Sequence, residues 1–577
     1  MSATDRLGLA VLLLLGGALR FGGLSHDLHE NRVYHPDTPK QLRAVQRFYA
    51  GQYFQHTGHK DYDGYPLFAS HLVEHLCRLL EPARRGVLQL LGVPTARDRL
   101  LELTALYWLM LLLNAALSTA AIAVVWRIGR ENFTRGAAWT AALLQALSPV
   151  DVTACHYATG DTAAAFFATA SLLFALRIAR LGRRRDYALA AALAVFGFAA
   201  KYHAGMAVFP LAAAHLTRFR RPADWFGRES LSRAALTAAA AAAALALAIP
   251  SLVTHFSVEA ADILRAFGHS SSRVPPELLS AGRWEKFLYS MRHNLPVLWR
   301  ILGPAALPAA ALALASGLRR DARTPILLSL PAAYVLLGVG SKTLLHAVYH
   351  AVMTAPVFLL TAFVFARRVA EPTPRRRAAQ AAAALLLLAQ AAFLARGAAR
   401  ETFFQWHMDT RRMAPLWTAE NVPAAFNVVR GRYTFSWHPN DYPGFRPQGT
   451  LVLRSRLGPL EITEPVLPLK RFALEREPLM QFRNVDLEAF LGRTAWLRSG
   501  FSLPLNARLP SQTGNQFIFD NGLELYRSGK VLTAAPGEGV ARWLVRETPL
   551  PEAWLILQSS ALPAFAKIGR ASCRESV

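Results

Sequence analysis

Arginine and hydrophobicity alternate along this chain. Apolar blocks are separated by short gaps crowded with guanidinium groups: Arg127, Arg130 and Arg135; Arg180 and Arg183–Arg185; Arg218, Arg220 and Arg221; Arg319 and Arg320; Arg367 and Arg368; Arg375–Arg377. A helical crossing of a bilayer needs roughly 20 apolar residues, and basic loops stay on the cytoplasmic side. Few folds other than a multi-pass helical membrane protein tolerate such a pattern. The 53% hydrophobic content and the mean hydropathy of +0.22 agree with it. The formal net charge of +26 sits largely in these gaps. It is therefore read as a topology signal and a contact for anionic lipid headgroups, and no nucleic-acid partner is expected.

The expected class is a polytopic α-helical membrane protein of about eleven spans over residues 1–400, followed by a mixed α/β or β-rich soluble domain over 401–567. The spans are read as Leu7–Leu24, Leu101–Trp126, Ala137–Val150, Thr162–Ile178, a pair within Tyr187–Thr217, Ala234–Val253, Val297–Leu318, Pro325–Val339, Leu344–Phe365 and Ala378–Leu394. Tyr187–Thr217 has arginine clusters at both ends, so both ends require the cytoplasm. Two shorter helices in a hairpin satisfy that, with the turn at Lys201–Gly205 and Lys201 near the outer face. The first block lacks a small-residue cleavage site and is expected to be an uncleaved span. The parity puts the amino terminus inside. It puts the loops at 25–100 and 255–296 and the carboxyl domain outside the cytoplasmic (inner) membrane.

The carboxyl region carries Pro/Gly turns and alternating runs such as Gln448–Leu457 and Gln516–Leu525, which signal strands. Residues 568–577 break the pattern and are expected to be a non-native tail. Cys77, Cys155 and Cys573 are too few for a disulfide framework. Cys77 and Cys155 both fall near the outer face, so a bridge between them is compatible with the topology but not deducible.

In the first outer loop, Thr38, Pro39 and Gln41 fit a helix start with a capping box. Leu42, Val45, Phe48 and Tyr49 set against Lys40, Arg43 and Arg47 suggest an amphipathic helix lying on the membrane surface, ended by Gly51. If Thr38 caps, Asp37 is spared for another task beside a positive helix end. The plain alternative is that Asp37 is itself the cap or simply solvated. Asp161, in His156-Tyr157-Ala158-Thr159-Gly160-Asp161, stands at the outer start of a span, as a substrate-binding carboxylate or as an N-cap. Lys201 either binds an anion or snorkels. Lys342 is a second cation near that face. Asp61 and Asp63 lie in a turn-like stretch of the first loop and are weaker substrate-binding candidates, as is His156. His346 and His350 share a helical face without further metal ligands, and interhelical bonding is the ordinary role. No cofactor is expected, and the metal requirement is left open.

These residues resemble the signature of GT-C glycosyltransferases, and specifically glycosyltransferase family 39, the protein mannosyltransferase and aminoarabinose-transferase-like membrane enzymes. An outward acidic residue follows the first span. A second opens span 4 in the His156–Asp161 segment. Gly197-Phe198-Ala199-Ala200-Lys201-Tyr202 resembles the family's glycine-to-lysine segment. Asp409-Thr410-Arg411-Arg412 with Trp417–Pro423 resembles the segment after the last span. The family's late Arg-Tyr pair is replaced here by Tyr349-His350, with no arginine.

The resemblance implies a GT-C-like fold and transfer of a hexose or pentose, with inversion, from a polyprenyl-phosphate-linked sugar donor. The acceptor would be a glycan, lipid or protein on the outer face. Asp37 is implied as general base, and Lys201 and Lys342 as donor phosphate ligands. No nucleotide-binding glycine loop appears, which suits a lipid-linked donor. The rival readings are a transporter or flippase, which would place its charges at mid-span and show repeats, and a non-catalytic envelope scaffold.

Overall fold

The structure is a computed structural model. It describes residues 2–24, 28–29, 32–33, 38–53, 66–92, 100–269, 282–317, 321–339, 347–370 and 377–407, and seven strands between 427 and 556. The chain divides into two compact units. One is Met1–Ser271 with Gly282–His407; the other is Ser272–Ala281 with Met408–Val577.

The first unit is helical: α1 Ala3–Phe21, α2 Thr38–Tyr49, α3 Phe68–Leu90, α4 Leu103–Asn132, α5 Arg135–Ala146, α6 Pro149–Cys155, α7 Asp161–Leu181, α8 Arg184–Ala200, α9 Val208–Arg218, α10 Arg228–Ala248, α11 Ser251–Thr254, α12 Phe256–His269, α13 Arg283–Leu302, α14 Ala306–Gly317, α15 Arg323–Ala333, α16 Thr354–Ala370 and α17 Arg377–His407. A two-stranded ribbon, β1 Leu28–His29 and β2 Arg32–Val33, follows α1. In the second unit, β3 Asn427–Gly431 pairs antiparallel with β6 Leu523–Tyr526 and parallel with β9 Ala553–Ile556. A four-stranded sheet runs β5 Gly458–Thr463, β4 Thr450–Ser455, β7 Leu532–Pro536, β8 Trp543–Val545.

Five described helical stretches are long and apolar enough to cross a membrane: Leu103–Asn132, Asp161–Leu181, Arg228–Ala248, Val348–Phe365 and Gln380–Phe403. A bent pair makes a sixth. The other expected spans are helical but shorter or more charged. Three depart from the expected outline. Val297–Leu318 is broken: Asn294–Leu302 and Ala306–Ala315 meet at 94°, because Gly303 takes φ +82° ahead of Pro304. The Gln390 side chain holds that break, donating to the Leu302 carbonyl at 2.5 Å and accepting from the Ala305 N–H at 2.8 Å. Ala137–Val150 is broken at Ser148-Pro149 into α5 and α6. The third departure is α1, which carries Arg20 fully buried inside it.

Arg20 donates from Nε to Ser118 Oγ at 2.7 Å and from its two terminal nitrogens to the carbonyls of Gly16, Ala146 and Gln145 at 3.0, 2.8 and 2.9 Å. It thus caps the carboxyl end of α5, where unpaired carbonyls and the negative end of the helix dipole favour a cation.

The hairpin expected within Tyr187–Thr217 is present. Helix α8 ends at Ala200, a 3-10 turn spans Tyr202–Ala207, and α9 returns. Its open end is closed by Tyr187 and His215, 3.1 Å apart, with His215 Nε2 2.9 Å from Ser230 Oγ of α10.

Helix α2 does not present its apolar face to lipid. Leu42, Val45 and Phe48 are buried in the core with Phe68, Val73 and Leu106. The Gln41 side chain forms no capping box; it donates to the Pro66 carbonyl at 3.0 Å and accepts from Ser70 Oγ at 2.5 Å. Amphipathicity does not distinguish a lipid-facing stripe from one covered by another helix, and here α3 covers it. Gly51, φ +80°, does end α2: Gln52 N donates to the Arg47 carbonyl and Gly51 N to that of Phe48, a Schellman arrangement. Cys77 and Cys155 are both free and buried, so no bridge joins them.

His71 locks α3 onto α2, its ring stacked on Phe48 at 3.8 Å and 6° and on Tyr53 at 5.6 Å. Burial pulls its pKa from the ordinary 6.5 down to about 4, the nearby Glu74 carboxylate opposing. A depressed histidine favours the folded state in its neutral form. Stability from this contact is complete above pH 6.5 and is lost as the pH falls toward 4. Hydrogen-exchange protection factors across α2 and α3, in which the pH dependence of the intrinsic exchange rate is divided out, should fall over that interval. In His71→Phe the fall should be absent.

Candidate functional site

Two of the sequence-derived site residues meet in the structure. Lys201 Nζ lies 3.3 Å from Asp161 Oδ2, with the side chains 13% and 3% exposed. Asp161 is the first residue of α7, and Lys201 is the residue that caps α8. Their approach is built into the backbone. A Cβ at Gly160 would stand 2.2 Å from the Ala200 carbonyl oxygen, so only glycine lets the start of α7 touch the end of α8. Lys201 leaves the helix with φ −160° and ψ 123°. The extended backbone there separates α8 from the 3-10 turn that follows it.

The carboxylate of Asp161 is asymmetric. Oδ2 accepts from Thr159 Oγ1 at 2.8 Å as well as from Lys201. Oδ1 has no hydrogen-bond partner among the described residues. A buried ion pair with one unused oxygen is costly as pure structure, and ionisable groups at such depth are characteristic of functional sites.

An aromatic wall stands beside the pair. Lys201 Nζ lies 5.0 Å from the centre of the Tyr349 ring. The His203 ring lies 5.7 Å from Tyr349 and 6.0 Å from Tyr334. Tyr334 donates to the Tyr349 carbonyl at 2.9 Å and stands edge-on to the buried His350 ring. His203 and Tyr334 were not selected from the sequence. Tyr349 marks the place where the family has an arginine, and that departure is the available sequence signal; His350 is singled out there and also as the partner of His346 on one helical face.

The loop that delivers Asp161 is tied at several points. His156 is fully buried, and its two ring nitrogens face main-chain carbonyls, Nδ1 at 2.6 Å from Val152 and Nε2 at 2.7 Å from Gly22. This geometry makes it a tether between α6 and the exit of α1. Thr38 Oγ1 donates to the Ala158 carbonyl at 3.4 Å. Asn114, in α4, donates to the carbonyls of Tyr157 and Thr159 at 2.8 and 3.1 Å. Asp37, Asp61, Asp63, Lys342 and His346 lie outside the described residues. Among the described residues no group of three or more His, Cys, Asp or Glu could hold a metal ion.

Residues 103–254 match the family model described as dolichyl-phosphate-mannose-protein mannosyltransferase. That stretch contains both Asp161 and Lys201. Among curated proteins none matches. Among solved structures the chain is similar to the apo oligosaccharyltransferase of Archaeoglobus fulgidus, at 14% identity and TM-score 0.46, over 72% of this chain and 58% of that one. It thus spans little more than half of that protein's length. It is also similar to ArnT from Cupriavidus metallidurans bound to undecaprenyl phosphate, at 14% identity and TM-score 0.46, over 77% and 85%. A third similarity is to the arabinofuranosyltransferase AftD from Mycobacteria, at 20% identity and TM-score 0.39, over 74% and 30%.

Gly160→Ala should force α7 from α8, at a cost of about 1–3 kcal/mol. Thermal melting in detergent should show the loss. Gly136→Ala, where an added methyl meets nothing within 4 Å, should melt no lower than the unsubstituted protein.

Proposed function

We propose that this chain is a family-39-like glycosyltransferase and that it moves a sugar from a polyprenyl-phosphate donor to a hydroxyl acceptor at the outer face of the membrane, with inversion at the anomeric carbon. The observation that carries the reading is the buried Lys201–Asp161 contact at the junction of α7 and α8. In the transfer, the bond between the anomeric carbon and the phosphate oxygen breaks as the acceptor oxygen attacks from the opposite side. The leaving phosphate then gains charge. A fixed ammonium stabilises that charge most effectively where water is excluded, and Asp161 holds Lys201 in place. Lys342 is a second phosphate ligand in this reading.

The acceptor proton needs a base, and Asp37 takes it. Its support is connectivity: Asp37 immediately precedes Thr38, whose hydroxyl is bonded to Ala158, three residues from Asp161. Asp61 and Asp63, in the same outer loop, are assigned to substrate contacts. The acceptor is a glycan, lipid or protein. The site faces the periplasmic or extracellular side, with the amino terminus cytoplasmic.

The test is transfer of label from radiolabelled polyprenyl-phosphate sugars in membranes carrying the protein. Asp37→Asn should lower transfer about 10²–10⁴-fold and Lys201→Met about 10²–10³-fold, with expression unchanged. Wild-type transfer retained in both variants would remove the proposed catalyst. Movement of the lipid-linked sugar across the membrane without transfer would instead favour the flippase reading.

A further inference from the structure

The segment Tyr157–Gly160 has no regular hydrogen-bonded structure of its own, yet it sets where Asp161 begins α7. The Thr159 N–H reaches back to the Tyr157 carbonyl at 2.8 Å and the Ala164 N–H to that of Gly160 at 3.0 Å, but the Thr159 carbonyl needs a donor from outside the segment, since unpaired buried carbonyls are costly. Asn114 supplies it, and reinforces the Tyr157 carbonyl as well. Its side chain lies mid-helix in α4 and is fully buried. Its amide nitrogen donates to the carbonyls of Tyr157 and Thr159 at 2.8 and 3.1 Å. Thr159 in turn donates to Asp161 Oδ2, the oxygen that holds Lys201. The amide oxygen of Asn114 has no partner among the described residues, so it is the two N–H groups that are used. Ala158, between the two carbonyls that Asn114 grips, accepts from Thr38.

We propose that Asn114 is a positioning residue: it suspends the Tyr157–Gly160 segment so that Asp161 presents Lys201 to the donor phosphate. The inference rests on the reading of Lys201 as phosphate ligand and deepens it. Asn114 touches no reacting atom; it acts through Thr159 and Asp161. The loop is also where Thr38, at the start of α2, is bonded.

Asn114→Asp tests this with almost no change in shape. A carboxylate cannot donate, and a carboxyl that takes up a proton in this buried place has one O–H for two carbonyls. The readout is the affinity of the purified full chain for a polyprenyl phosphate in detergent. Asn114→Asp and Asn114→Ala should weaken binding about tenfold, a coupling typical of residues in one hydrogen-bond network. Added to Lys201→Met, either change should weaken it no further. Gln390→Ala removes a buried amide from the α13–α14 break and serves as the control for general destabilisation; it should leave the affinity unaltered. If the wild type binds polyprenyl phosphate and Lys201→Met does not, but Asn114→Asp binds as wild type, Asn114 does not position the pair. Losses that simply add to that of Lys201→Met, or that Gln390→Ala reproduces, would equally overturn it. Failure of the wild type to bind, or full binding by Lys201→Met, would strike the underlying reading instead.

Discussion

Burying an ammonium and a carboxylate within 3.3 Å of each other is stabilising only if both are held where each satisfies the other. Most of what surrounds the Asp161–Lys201 contact can be understood as meeting that condition. Gly160 lets two helix ends touch, and Gly197 keeps α8 close to Ala164 and Ala168 of α7. The hairpin is pinned at its far end by Tyr187 and His215, so Lys201 cannot drift as α8 and α9 splay. The pair is thus a product of backbone packing as much as of charge.

A second buried charge supports the first from a distance. Arg20 binds the last carbonyls of α5 and the Ser118 hydroxyl of α4, and so fixes the elbow from which α6 departs. Gln145 at that elbow donates to Asp151 at 2.9 Å, which ties α5 to α6. The polypeptide then runs through His156, tethered to the exit of α1, into the loop ahead of Asp161. A charge within a hydrophobic helix is usually suspected of touching substrate. Arg20 shows the alternative, a cation used to terminate a neighbouring helix where no water can do so.

The outline of the helical unit was legible because arginine and apolar length are one-dimensional signals. The hairpin could be inferred because two arginine clusters demanded the same side, and its turn was correctly placed at Lys201. Asp161 and Lys201 were reachable by motif. Asn114, His203 and Tyr334 were not, because a single polar or aromatic residue in an apolar block has no periodicity to betray it. The face of α2 was misjudged since Leu42, Val45 and Phe48 make the same stripe whether lipid or α3 covers it. The Gly303-Pro304 break carried a recognisable punctuation that the hydrophobicity on either side concealed.

That break has a consequence for α17. Main-chain groups released from a helix inside a hydrocarbon layer find no water, so irregular backbone there persists only against protein. The Leu302 carbonyl and the Ala305 amide are both served by one side chain, Gln390. A helix that must deliver a single amide to two fixed points loses the freedom to spin about its own axis or slide along it. The azimuth of α17 is therefore dictated from the side, by a kink in another segment.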